Sequence, residues 1–219
     1  MRDFKKIIAE NKIFLIPYFT IAIFVSVILF LYEKIDIHIV INHYHSHFFD
    51  LFFKNITHLG DGIFAIILTV ILLFVKYRWA IISAISFLAI TIIIQVLKRL
   101  IFVSSFRPVK IFRYFYEGAY KLYIIPGTDP GINHSFPSGH STTAFATFFL
   151  LAIIIKNKIL KIIFFIIALL ITFSRIYLSW HFLEDALAGS FIGISIVFIT
   201  YIIINKSKVN WLDKSLIKK

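Results

Sequence analysis

At 219 residues, 60% of them hydrophobic, with a mean hydropathy of +0.91, the chain has the composition of an integral membrane protein and not of a soluble or disordered one. Its net charge of +12 comes from Lys and Arg in short groups between apolar runs, the pattern of topology signals and lipid-headgroup contacts, which argues against a nucleic-acid partner. It has no cysteine, which excludes disulfides and thiolate metal sites.

The first apolar run, Ile13 to Tyr32, follows the basic start Arg2, Lys5, Lys6 and Lys12. Its 20 uncharged residues and the lack of an Ala-x-Ala-type cleavage site predict a retained anchor, not a signal peptide. Glu33 to Asp61 follows, a polar and aromatic connection holding His38, His43, His45 and His47. Imidazoles at such spacing invite a zinc hypothesis, but no cysteine or second-shell pattern accompanies them, and a solvated loop near the headgroups is expected. Asp61, between Gly60 and Gly62, reads as the end of a turn.

Gly62 to Val75 and Trp79 to Leu97 are the next apolar runs, with Lys76 and Arg78 between them. A long connection from Lys98 to His140 comes next, and its length marks it as functional. Within it, Lys110 to Tyr123 mixes aromatic and basic side chains and predicts a helix lying in the interface. Pro126-Gly127 and Asp129-Pro130-Gly131 supply turns. Ser141 to Ile155, Ile159 to Ser174 and Ala186 to Asn205 complete the apolar set. The short runs reach across a bilayer if Lys76, Arg78, Lys156, Lys158 and Lys161 snorkel to one headgroup layer, and Tyr77, Trp79, Tyr177 and Trp180 read as interfacial anchors.

Six spans in one all-α domain over residues 1–219 result, and the charge bias orients them. Four Lys and Arg in the N-terminal tail, five in the C-terminal tail, two at 76–78 and three at 156–161 place 14 of 23 on one side. By the positive-inside rule both termini face the cytoplasm, in an inner membrane, and all eight histidines face the periplasm or cell exterior.

Three clusters on that outer side carry chemistry. Pro137-Ser138-Gly139-His140 sits where a helix should start, so the N–H groups of Ser138, Gly139 and His140 point outward at an anion-binding end, with His140 as a proton donor. Ser174-Arg175, five residues, His181, three residues, Asp185 combines a cation, a nucleophile and a carboxylate. If the last helix begins near Leu178, Asp185 shares a face with His181 and accepts a proton from one imidazole nitrogen, leaving the other as nucleophile. Lys98 and Arg107-Pro108 add cations, Arg107 as a fork for two phosphoryl oxygens. Two crossings return the chain to the same side, so all three clusters share one face.

Pro137-Ser138-Gly139-His140 and Ser174-Arg175 through His181 to Asp185 resemble the second and third signatures of the type 2 phosphatidic acid phosphatase (PAP2) superfamily, which also includes vanadium-dependent haloperoxidases. The third matches at every fixed position. The first signature usually reads Lys, six residues, Arg-Pro; here eight residues separate Lys98 from Arg107, and seven separate Arg99 from it. The resemblance implies a six-helix membrane phosphatase that needs no metal or other cofactor and works through a phosphohistidine. His181 would attack phosphorus, Asp185 orient it, and His140 protonate the leaving oxygen. Lys98, Arg107, Ser138, Gly139 and Arg175 would hold the equatorial oxygens. The expected substrate is a lipid phosphate or diphosphate, of the undecaprenyl diphosphate, lipid A, phosphatidylglycerophosphate or phosphatidate type. The rival reading is a non-catalytic protein that binds or transports anionic lipids in the same basic pocket, against which the paired histidines speak, because binding needs only cations. A soluble haloperoxidase is disfavoured by the spans.

Overall fold

The computed structural model describes residues 2–116 and 118–217, and the described residues are mostly helical, apart from a long connection between residues 102 and 138. In chain order the helices are α1 (Arg2–Leu31), α2 (Lys34–His43), α3 (His47–Ile56), α4 (Gly62–Val75), α5 (Tyr77–Val96), α6 (Pro108–Tyr114), α7 (Gly139–Ile154), α8 (Lys158–Tyr177) and α9 (Leu183–Asn205). A 3₁₀ turn, Thr57–Gly60, precedes α4, and a π-helical turn, Leu97–Ile101, extends α5.

Four helical stretches are long and apolar enough to cross a membrane alone: Phe4–Leu31, Tyr77–Ile101, Lys158–Tyr177 and Leu183–Asn205. Of the six runs expected to cross, the remaining two form α4, with 14 residues, and α7, with 16. Helix α4 and the His47–Gly60 segment make a pair bent by 51° that meets the length requirement only together.

Helix α7 is the axis of the bundle. Its first two turns are built of small residues (Ser141, Thr142, Thr143, Ala144, Ala146, Thr147), all buried, and α9 meets them with Gly189 and Gly193. A Cβ on either glycine would collide with the carbonyl oxygen of Ser138 or Thr142. Small residues on both faces let the backbones touch, the usual way helices associate where lipid removes the hydrophobic drive. That closeness brings the start of α9 beside the start of α7. Deeper in the bundle, Phe14 meets Phe149 and Phe165 at ring distances of 5.3 and 5.5 Å.

Several cations expected to snorkel are instead buried and paired. Arg78 donates to both carboxylate oxygens of Asp213, at 2.9 and 3.1 Å, and to the carbonyls of Ile204 and Ser207. Lys161 Nζ lies 2.7 Å from both Glu10 O and Asn11 Oδ1, where Asn11 interrupts the helical geometry of α1. A buried cation needs such partners to offset lost hydration, and here they are carbonyls freed by a helix break and a C-terminal turn.

The outer histidines also differ from expectation. His38 is buried, with Nε2 at 3.1 Å from Ser179 Oγ and its ring against Phe112 and Phe182. His45 Nδ1 bonds Asp50 Oδ1 at 2.8 Å, between the rings of Tyr123 and Tyr177, and both tyrosine hydroxyls donate to Asp50. These two fasten α2 and α3 to the long connection and to α8; of the group His38, His43, His45 and His47, only His43 and His47 are exposed. The expected interfacial helix is shorter than its aromatic pattern suggested. Helix α6 opens with Pro108 at its first turn and ends at Tyr114, short of a turn in which Gly118 takes φ +82°.

Candidate active site

The last helix begins at Leu183, not near Leu178, so His181 lies before α9 and not on its face. Residues 178–182 form a tight turn in which Ser179 takes φ +57° and the N–H groups of Trp180 and His181 both donate to Arg175 O. Asp185 is in the first turn of α9, and its Oδ2 accepts from Phe182 N at 2.9 Å. The same oxygen lies 3.4 Å from His181 Nδ1. The pair expected from the sequence therefore forms, through a capping turn. Both side chains are almost fully buried, at 2% and 1% side-chain exposure.

Ser135, which the sequence reading passed over, completes this group: its hydroxyl donates to Asp185 Oδ2 at 2.5 Å and lies 3.5 Å from His181 Nδ1. With Nδ1 turned toward Asp185, the geometry leaves Nε2 of His181 for chemistry. Burial, with the positive charges of Arg175, Lys98, Arg107 and His140, holds the His181 imidazole well below its ordinary value of 6.5. The ring is neutral at physiological pH, as a nucleophile must be.

A pH prediction follows. In the folded protein His181 remains neutral at pH 5.5, where an unburied imidazole is about nine-tenths protonated; ring-nitrogen chemical shifts of labelled histidine in detergent check it. The unfolded chain binds more protons than the folded one below pH 6.5, so the His181 contribution to stability is lost as pH falls through that value.

The start of α7 supplies the anion end. Ser138 is its N-cap: Oγ accepts from Ser141 N and from Ser141 Oγ, at 3.4 and 2.9 Å. Ser138 N does not point outward as expected but donates to Asp185 O at 3.0 Å, tying α7 to α9. The N–H groups of Gly139 and His140, first in the helix, remain for a ligand. A Cβ on Gly139 would meet only Ile94, at 3.8 Å, so protein packing does not demand a glycine there; close approach of a ligand to the backbone accounts for it.

Arg175 is buried, at 1% exposure. Its Nη1 donates to Thr57 Oγ1 at 2.6 Å, and its guanidinium lies 4.1 Å from the Trp180 ring. Arg107 stacks at 5.7 Å from the same ring, so Trp180, expected as an interfacial anchor, orders two cations. Arg175 Nε and Trp180 Nε1 are buried donors without a protein partner among the described residues. An unmet buried donor costs about 1–3 kcal/mol, a cost that an arriving phosphoryl oxygen removes.

Residues 105–107 run beside 132–136, through Arg107 N to Ile132 O, Ser135 N to Ser105 O and the Phe106–Asn133 bridge. This pairing sets Arg107 near Ser135, and the guanidinium is held by the carbonyls of Asn133 and Pro130. Lys98 is half-buried in the π-helical turn and its charge acts on His181, whereas Arg99 is exposed. The wide turn, closed by Phe102 N to Leu97 O at 2.7 Å, takes up part of the extra length between Lys98 and Arg107. Asp61, read from the sequence as a turn end, meets His140: Oδ1 lies 2.5 Å from Nε2. Each carboxylate is thus matched to a histidine, and the three cations remain for an anion.

Comparison with known proteins agrees with this geometry. The PAP2 superfamily model matches residues 79–208. The crystal structure of Aquifex aeolicus LpxE is similar over 78% of this chain and 94% of its own, at 26% identity and a TM-score of 0.65. The first transmembrane PAP2 type phosphatidylglycerolphosphate phosphatase from Bacillus subtilis is similar over 91% of this chain and 98% of its own, at 23% identity and a TM-score of 0.64. No curated protein matches the chain. A family match over more than half of the length, on a helical bundle that gathers the signature residues at one end, means that this chain belongs to the PAP2 superfamily and has the fold of its membrane lipid phosphatases.

Proposed function

We propose that the protein is a multi-pass phosphatase of the inner membrane that removes the terminal phosphate of a lipid phosphate or diphosphate at the outer leaflet, through a phosphohistidine on His181. The observation that carries the proposal is a buried imidazole 3.4 Å from the Asp185 carboxylate, under the positive charges of Arg175, Lys98 and Arg107. Phosphoryl transfer needs little else from a protein: positioning of the phosphorus and fixed positive charge around its equatorial oxygens.

His181 Nε2 attacks phosphorus as the bond to the leaving oxygen breaks, and His140 gives that oxygen a proton. Asp185 holds the Nδ1 proton and balances the charge that develops on the ring. Water then attacks the phosphohistidine, with His140 taking its proton, and inorganic phosphate leaves. Lys98, Arg107, Arg175, the Ser138 hydroxyl and the N–H groups of Gly139 and His140 hold the three equatorial oxygens. The crossing pattern that supports an outer site has six spans, with both termini cytoplasmic and the basic inner segments setting orientation. In that arrangement the tail stays in lipid while the headgroup enters the cationic pocket.

One of the similar structures is named for phosphatidylglycerolphosphate, at 23% identity, so the substrate class of this chain is decided by assay. Purified protein in detergent, given phosphatidate, phosphatidylglycerophosphate, lipid A and undecaprenyl diphosphate with excess chelator, should release phosphate from at least one. Binding of these lipids without any release would favour the non-catalytic reading instead.

A further inference from the structure

The segment that joins α3 to α4 lies outside the three signature clusters, yet it touches two of their residues. Thr57 holds Arg175, Gly60 lies under His140, and Asp61 bonds the His140 ring. A Cβ on Gly60 would stand 2.7 Å from Ile171 Cγ2 and 3.2 Å from His140 O, so the glycine sets how closely this segment approaches α7.

We infer that Asp61 is a positioning residue that orients His140 as the general acid and favours its protonated form. The inference rests on the phosphatase reading above. His140 must carry a proton before it can give one to a leaving oxygen, and the charges around it oppose that. Burial, Arg175 from α8 and Lys98 from the π-helical turn together push its imidazole down to about 4, and the His181 ring lies close enough to feel its charge. Asp61 is the opposite charge, in direct contact with Nε2. Asp61 pulls against these effects, so its loss lowers the proton affinity of the ring further.

Asp61 is also placed to do this and little else. Its side chain does not cap α4, although its backbone stands at the N-cap position. Oδ2 is held by the exposed His58 at 2.9 Å, which fixes the carboxylate while Oδ1 faces His140. With Nε2 so engaged, Nδ1 of His140, which takes no protein partner among the described residues, is left for the leaving oxygen. The arrangement parallels Asp185 and His181: each histidine has a carboxylate on one nitrogen and its chemistry on the other.

The test is Asp61→Asn in the full-length protein, which keeps the shape and removes the charge. Two substrates separate an acid's role from general damage. Phosphatidate needs its leaving alkoxide protonated, whereas para-nitrophenyl phosphate releases a phenolate that departs unaided. The expected result is a kcat lower by about 30-fold on phosphatidate and by less than about 3-fold on the aryl ester. The basic limb of the phosphatidate kcat profile should move down by about one pH unit, as loss of a neighbouring opposite charge requires. In the His140→Asn background the second substitution should add no further loss. Equal losses on both substrates, no loss on either, or additive losses in the double variant overturn the inference alone. Absence of phosphate release by the unaltered protein from the aryl ester and from all four lipids named above overturns it together with the phosphatase reading.

Discussion

His181→Ala abolishes turnover: phosphate release falls by at least about 1,000-fold while the protein still folds and still binds its lipid. The large loss follows because the variant has no nucleophile beside Asp185, and His140 is committed to the leaving oxygen. Folding survives because the buried Asp185 carboxylate is not orphaned. It keeps the Ser135 hydroxyl at 2.5 Å and Phe182 N at 2.9 Å after the imidazole is gone. Lipid binding survives because Lys98, Arg107 and Arg175 are untouched. Quenching the unaltered enzyme during turnover with labelled substrate should trap acid-labile phosphate on protein, and the variant should trap none. Undiminished release by the purified variant would end the covalent mechanism, and a missing adduct in an active enzyme would point to direct attack by water.

Arg175→Lys is the second large effect, with kcat reduced by about 100-fold or more at retained charge. The guanidinium does three things at once: it donates to Thr57, stacks 4.1 Å from Trp180, and keeps a buried Nε without a protein partner. An ammonium is a point donor on a flexible stem and cannot reproduce that fork. The comparison that decides it is steady-state kinetics beside thermal unfolding of both forms. A near-normal kcat with lowered stability would reduce Arg175 to a structural cation.

Much of the site was legible because its chemistry sits in short strings. Ser174-Arg175 to Asp185 and Pro137 to His140 hold their spacing within single segments, and the parity of helical crossings put those segments on one side before any geometry was known. The helices themselves follow from long apolar runs, since a chain in lipid must satisfy its backbone internally. What local pattern missed was contact across the sequence. Trp180 looked like an anchor because aromatics at span ends usually are, yet it lies beneath two arginines. Lys161 and Arg78 looked like snorkelling cations because nothing nearby in sequence announced Asn11 or Asp213 as partners.

Hydropathy by itself determined that this protein is helical and membrane-spanning, and the resemblance of its motifs pointed to the PAP2 superfamily and to a candidate nucleophile, acid and set of cations. Tertiary structure alone decided how those groups are held. It placed Asp185 by a capping turn, Ser135 by the pairing of two loop segments, Asp61 against His140, and Lys98 in preference to Arg99. The reason is physical: covalent spacing constrains residues within about a helical turn, whereas the partners of a buried charge come from wherever packing delivers them. Here the glycine face of α9 against the small residues of α7 made that delivery.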